Sequence, residues 1–268
     1  QDDRSVIPLV LPLVNATHQT NPGYWNSRFR FDGNMMALSR EDGNESRRMS
    51  GSAMWKLPYI SDNGQMIEFT TSMRSDVYHV NNVLLGGGRD FDGFETRQVP
   101  QATLSWRYPF INYFEGGNLV LEPVMEAYYS PNGNNSSKIP NEDSRFAELT
   151  DGNIFSANRF AGLDRVETGL RTSYGLRAFA QVLEDKYIDM LIGQSWREND
   201  DRTFPYAQDL TSQASDYVGK IGITSYPVSL SYRFRLDSDN FKSRRNELNA
   251  NVNYYPVALS TAYLSIQD

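Results

Sequence analysis

Residues 228–236 read Val228-Ser229-Leu230-Ser231-Tyr232-Arg233-Phe234-Arg235-Leu236. Every second side chain from Val228 is apolar or aromatic, those between are serine or arginine, and Asp237 continues the polar set. Successive side chains of a strand point to opposite faces, so this stretch makes a ribbon with one greasy and one polar face. The same two-beat pattern recurs along the chain. Ile67, Phe69, Met73 and Val77 alternate with Glu68, Thr70, Ser72, Arg74 and Asp76, and Leu248, Ala250, Val252 and Tyr254 alternate with Asn249, Asn251 and Asn253.

Extending this reading outward predicts twelve strands, at 6–20, 24–40, 46–58, 65–80, 97–109, 118–130, 165–180, 186–198, 216–226, 228–237, 243–254 and 257–267. Most run to about ten residues or more, near the ~9–11 that a tilted strand needs to cross a bilayer. Strands of soluble domains average about five or six. Pro8 and Pro12 remove ladder donors from the first strand, which therefore reads as an edge or bent strand. Asp42-Gly43 and Asn63-Gly64 mark tight turns.

The connections alternate in length. Loops 81–96, 131–163, 199–215 and 238–242 fall on one side, and turns near 110–117, 181–185, 226–227 and 255–256 on the other. Bacterial outer-membrane barrels combine short periplasmic turns with longer external loops. Aromatic residues gather near strand ends (Trp55 and Tyr59, Trp106 to Phe110, Tyr128 and Tyr129, Tyr254 and Tyr255), as in interfacial girdles. The expected fold is all-β: an antiparallel transmembrane β-barrel, with residues 1–268 a single barrel-domain fragment of about twelve strands from a larger barrel, open or incomplete. A soluble β-sandwich also alternates and stays as the competing fold.

Composition agrees. Mean hydropathy is −0.57, as for a soluble protein, but a barrel hides its polar half in the lumen. The longest apolar run, Val6 to Val14, is too short for a spanning helix and carries two prolines. The absence of cysteine removes disulfides and thiolate metal sites, and a net charge of −7 argues against a nucleic-acid partner. No basic leader or initiator Met precedes the first strand, so an exported protein is expected to be represented by a mature form or a fragment.

Little here points to chemistry on bonds. His18 and His79 lie in different strands with no acid–nucleophile arrangement beside them, and no nucleophile elbow, P-loop or zinc-protease motif occurs. Gly86-Gly87-Gly88 follows no βαβ pattern and reads as a loop. Asn141-Glu142-Asp143-Ser144 offers carboxylate oxygens but lacks the ligand spacing of a calcium loop. No catalytic residue, metal or cofactor is expected. The candidate lumen-facing residues are Arg74, Asp76, Glu122, Glu126, Glu167, Arg171 and Arg177. They either make the lumen wettable or touch a polar cargo, and charge reversal at Arg171 or Arg177 would separate the two.

Several islands resemble one family. Gly93-Phe94-Glu95-Thr96-Arg97-Gln98-Val99-Pro100 leads to Trp106-Arg107-Tyr108-Pro109, then Leu121-Glu122-Pro123 and Ile139-Pro140-Asn141-Glu142-Asp143-Ser144. Next come Asn158-Arg159-Phe160-Ala161-Gly162-Leu163-Asp164-Arg165, Glu167-Thr168-Gly169 and Tyr174-Gly175, with Arg40-Glu41-Asp42-Gly43, Arg47 and Arg48 earlier in the chain. This order is similar to the C-terminal barrel of the LptD family, and Leu-Glu-Pro and Gly-Leu-Asp-Arg are its most specific parts. The resemblance covers about residues 5–268.

The resemblance implies a non-enzymatic component of lipopolysaccharide (LPS) assembly in the outer membrane of a Gram-negative bacterium. Its implied partners are lipopolysaccharide, membrane lipids, an LptE-like plug lipoprotein, and a periplasmic Lpt bridge acting through a jellyroll domain absent here. Glu122, Pro123, Asn141, Glu142, Asp143, Gly162, Asp164 and Arg165 are the implied structural motif residues. The chain has fewer strands than the family's large barrel and lacks a terminal aromatic residue, so it reads as an internal piece without the gate strands. A porin-like or ligand-transport barrel is the alternative within transport. An outer-membrane hydrolase is the rival from the enzymes.

Overall fold

The computed structural model describes residues 7–86, 88–144, 148–199 and 213–267. Its strands are β1 (Leu9–Gln19), β2 (Arg28–Ser39), β3 (Glu45–Ile60), β4 (Met66–Leu85), β5 (Arg89–Arg107), β6 (Phe110–Phe114) and β7 (Gly117–Ser130). They continue as β8 (Gly169–Val182), β9 (Lys186–Arg197), β10 (Tyr217–Ser225), β11 (Val228–Leu236), β12 (Ser243–Tyr254) and β13 (Val257–Ile266). Among the described residues these 13 strands form one sheet in chain order, with β6 paired only to β7. Neighbours are antiparallel throughout, and β1 and β13 do not pair with each other, so the sheet is open.

The alternating stretch that opened the sequence reading is β11. Ser229, Ser231, Arg233 and Arg235 lie opposite Asn251, Asn249, Glu247 and Arg245, while Leu230 and Tyr232 lie opposite Ala250 and Leu248. Polar residues therefore meet on one face and apolar residues on the other. The apolar face is bare: Met35, Met49, Val77, Leu104, Met125, Tyr174, Met190, Leu230 and Tyr263 are all exposed, Met49 to 68%. Among the described residues no second protein layer covers these rows. In water each Å² of such surface would cost about 25 cal/mol, whereas lipid imposes no such cost. On β3 the outward set from Met49 to Tyr59 covers about 33 Å along the strand, or about 25 Å after the usual barrel tilt, which matches the apolar band of an outer-membrane barrel.

The structure departs from the expected segments in four places. Residues 24–26 form a short 3₁₀ turn with Trp25 at φ 54°, so the second strand starts at Arg28. The expected loop 81–96 is mostly strand: β4 and β5 run on as a long hairpin past an irregularity between Val80 and Val83, where Asn82 takes φ 58°. That bulge shifts the two-residue period, and the extension is hard to read for this reason. The expected turn at 110–117 holds β6, which continues β5 along the same partner. Ala102–Arg107 face Tyr129–Val124, and Phe110–Phe114 face Leu121–Gly117. Pro109 breaks the run, and the thirteen strands amount to twelve crossings, one of them interrupted. The strand expected from 165 begins at Gly169.

Pro12 lies in β1, at the sheet edge, beside a register shift between Val10 and Leu13, as its missing donor requires. Tyr129 is exposed, but Tyr128 is 1% exposed and points inward, away from any girdle. Much of the expected loop 199–215, the start of the first strand and Gly87 lie outside the described residues.

Candidate functional site: an in-folded segment clamped to the inner wall

The chain between β7 and β8, described at 131–144 and 148–168, folds onto the polar face of the sheet. Its Ile139 packs with Tyr78, Val80 and Val83 of β4, and its Leu149, Ile154 and Phe160 pack with Val218 of β10. The same segment touches both flanks of the sheet. Arg48 of β3 donates to Asp143, and Arg245 of β12 donates to Glu148. Eight strand spacings of about 4.8 Å separate β3 from β12 along the sheet, about 38 Å if flat. Five residues of chain reach at most about 18 Å. One short piece of chain thus holds both flanks, and the sheet, twisting from strand to strand, curls over it so that its polar face is the inside of a trough.

A reciprocal clasp gives the segment its shape. Asp143 Oδ1 accepts from the backbone N–H of Leu163 and Asp164, both at 3.0 Å. Asp164 Oδ2 accepts from the N–H of Glu142 at 2.9 Å and of Asp143 at 3.2 Å. Asn141 and Ser144 close the turn between them, the Ser144 N–H donating to Asn141 Oδ1 at 3.0 Å and the Arg165 N–H to Ser144 Oγ at 2.8 Å. Gly162 sits in the left-handed region at φ 80°, and a Cβ there would fall 2.4 Å from Asp143 Oδ1. The segment Asn141-Glu142-Asp143-Ser144, whose carboxylates invited a cation reading, thus spends its carboxylate oxygens on backbone N–H groups and on the guanidiniums of Arg48 and Arg40.

Arg48 ties the clasp to the wall. Its Nη1 lies 2.6 Å from Asp143 Oδ2 and 2.7 Å from Asp164 Oδ1, and Asn34 Oδ1 accepts from its Nε and Nη2 at 3.0 and 2.9 Å. Tyr78 donates to Asp164 Oδ1 at 3.1 Å. Arg97 of β5 donates from Nη2 to Asp76 at 2.6 Å and to the Leu163 carbonyl at 2.6 Å, and from Nη1 to the Asp164 carbonyl at 2.7 Å. Burial and the adjacent Asp143 charge push the Asp164 carboxyl above its ordinary range, against Arg48. Burial opposes the Asp143 charge as well, but there Arg48 prevails and holds the carboxyl low.

A second clamp centres on Glu167, which is fully buried and accepts from Arg159, from Arg197 Nη2 at 2.5 Å, and pairs with Arg171 Nε at 3.3 Å. Burial alone would raise this carboxyl; Arg159 and Arg171 outweigh it and hold it at about 2. Tyr128 donates to the Glu167 carbonyl at 2.8 Å, and Arg171 Nη2 to the Ser156 carbonyl at 2.6 Å. At the far flank Glu148 accepts from Arg235 and Arg245.

The residues singled out in the sequence divide accordingly. Asp76, Glu167 and Arg171 are sealed between wall and segment. Arg74 lies beside them, donating to the Leu163 carbonyl at 3.0 Å, and also lines an open cleft of about 620 Å³ with Arg30, Ser52 and Ser72. Glu122 pairs with Arg107 at 3.4 Å, and Glu126 accepts from Ser105 at 3.2 Å. Arg177 lies over the Phe155 ring at 5.2 Å and, with Glu122, Asp189 and Lys220, lines a cleft of about 320 Å³. Pro123 takes the place where β7 passes the β5–β6 break, and its carbonyl accepts from the Tyr108 N–H at 3.2 Å. Arg165 reaches the Ile139 carbonyl at 3.0 Å. Arg48, Arg97 and Arg159 stand in the recognised islands without a role assigned from sequence. Strand parity offered a signal, since it turns Arg48 inward and Arg47 outward.

The islands around Arg48, Arg97, 139–144 and 158–167 are therefore the parts that clasp the in-folded segment and pin it to the barrel wall, while Arg107, Glu122 and Pro123 join wall strands to each other. Among the described residues no group of three or more His, Cys, Asp or Glu side chains is placed to hold a metal. A family model, LptD: LPS transport system D, matches residues 1–268. No curated protein matches the chain. With the family model covering the whole sequence and the all-β sheet it requires in place, the chain belongs to the LptD family.

Proposed function

We propose that the inner wall of this sheet guides the sugar-phosphate head of lipopolysaccharide past the clamped segment 131–168, while the bare outer wall seats the protein in lipid. Membership of the LptD family puts the protein in lipopolysaccharide assembly at the outer membrane. The work of such a protein is to move a molecule, not to break a bond. A greasy-tailed, anionic glycolipid suits a wall with one polar and one apolar face. In this reading the end carrying the longer connections faces the cell exterior, a plug lipoprotein of the LptE type fills the trough, and a periplasmic Lpt bridge feeds it through a jellyroll domain.

The observation that carries the reading is the division of the inner charges. Arg171 is held between Glu167 and the carbonyls of the segment, whereas Arg177, three rungs along the same strand, faces an open cleft. Photo-crosslinkers placed at 177 and at 171 in the full-length protein test it in cells. A lipopolysaccharide adduct is expected at 177 and none at 171, and Arg177→Glu is expected to lower adducts at neighbouring inner positions several-fold. Equal adducts at the sealed and open positions, or no adduct at either, would overturn it.

A further inference from the structure

The outward-facing row at the long-connection end of the sheet carries a cation with no protein partner. The register aligns Ala37 with Arg47, Arg47 with His79 and His79 with Phe94, across β2 to β5. The Arg47 side chain is exposed and forms no hydrogen bond or ion pair among the described residues. Its neighbours on the inner face, Ser46 and Arg48, are buried, so parity fixes Arg47 on the convex side.

Three features define its surroundings. First, the next row toward the band's centre is Met35, Met49, Val77 and Thr96, and the outward residues of β3 from there to Tyr59 carry no charge. On its own strand Arg47 therefore stands one rung beyond the apolar set, at headgroup depth, with the exposed Phe94 in its row. Second, its own row holds no carboxylate. His79 packs edge-on against Phe94 with ring centroids 4.7 Å apart, and Glu45, two residues along the same strand, accepts from Asn81 at 3.2 Å. Third, the row beyond the methionines contains Gly33 and Gly51, where a Cβ would meet nothing within 4 Å, so the wall is low beneath the cation. A guanidinium at this depth presents donors in the plane that a phosphate accepts from, and its charge is complementary to an anionic leaflet.

We infer that Arg47, with the His79–Phe94 pair beside it, binds the phosphate of a lipopolysaccharide molecule in the outer leaflet, with that lipid's acyl chains lying down the outer wall over Met49 and Gly51. This is an outside site, separate from the inner clefts. The inference rests on the reading that the long connections face outward.

The test uses the full-length protein in nanodiscs containing lipopolysaccharide, with a photo-crosslinker at Met49 and, in a separate protein, at Tyr59 at the opposite end of the band. The expected result is a lipopolysaccharide adduct at 49 that falls at least several-fold in Arg47→Gln, survives in Arg47→Lys, and falls likewise when the nanodisc lipid lacks its lipid phosphates. Equal adducts in Arg47→Gln, or with dephosphorylated lipid, overturn the site. Loss of the adduct on adding millimolar inorganic phosphate shows a general anion site and also overturns it. An adduct at 59 in place of 49 overturns the orientation reading instead, which distinguishes the two failures.

Discussion

Asp164 Oδ1 lies 2.7 Å from Arg48 Nη1 across a sequence separation of 116 residues. One partner comes from a wall strand and the other from the segment folded against it, and both are almost wholly withdrawn from solvent. The pair joins the clasp of 141–165 to the barrel wall. Removing Arg48 strands Asp164, with Asp143 beside it, in a dry environment, which costs about 3–5 kcal/mol, and removing the Asp164 charge leaves Arg48 with Asp143 alone. Arg48→Ala and Asp164→Asn should each lower the unfolding temperature of the detergent-solubilised full-length protein, read by heat-modifiable gel mobility. Lys56→Ala, which breaks the exposed pair with Glu68 at 2.9 Å, should shift it little, because exposed pairs contribute about 0–1 kcal/mol.

Gly162 and Gly133 both occupy the left-handed region, at φ 80° and 93°. Only Gly162 has a neighbour in the way, with Asp143 Oδ1 2.4 Å from the position of a Cβ, while nothing lies within 4 Å at Gly133. Alanine at 133 should cost about 1 kcal/mol of backbone strain. Alanine at 162 should cost clearly more and expose 141–165 to limited proteolysis. Equal melting shifts for the two variants would contradict the clasp.

Glu167 is held at about 2 against an ordinary 4.5. Its folded carboxyl is depressed, so its stabilising contribution is complete above 4.5 and is lost as pH falls toward 2. The stability difference between the wild type and Glu167→Gln, measured by urea unfolding in detergent, should be constant from neutral pH to about 5 and shrink steadily below. A difference that stays flat down to pH 2.5 would remove Glu167 from the clamp's energetics.

The segment occupies the trough that a porin would leave open. In planar bilayers the full-length protein should be nearly silent, and the double change Arg48→Ala with Arg97→Ala should introduce frequent conductance steps by freeing the segment from β3 and β5. Steady large conductance from the wild type would instead favour a porin-like role.

Much of the wall was legible in the sequence because strand parity is local. Val228 to Leu236 sorts its side chains by position alone, and the same rule placed Arg74, Asp76, Glu122, Glu126, Arg171 and Arg177 on the polar face. The rule failed where the backbone slipped by a residue, as at Val80–Val83, and where Pro109 split one crossing into β5 and β6. The gathering of aromatics at strand ends assigned Tyr128 to an interfacial girdle, whereas the residue turns inward to the Glu167 carbonyl, on the even face with Glu122 and Glu126.

By itself the sequence determined an antiparallel sheet with one apolar face and, through its Leu-Glu-Pro and Gly-Leu-Asp-Arg islands, its kinship. Only the tertiary structure decided that the described residues of 131–168 fold against the inner wall, that Asp143 and Asp164 clasp each other's backbone, and that Arg171 is sealed while Arg177 stays open. The reason is physical. Alternation is written in neighbouring residues, but a buried ion pair such as Arg48 with Asp164 depends on where distant chain segments meet.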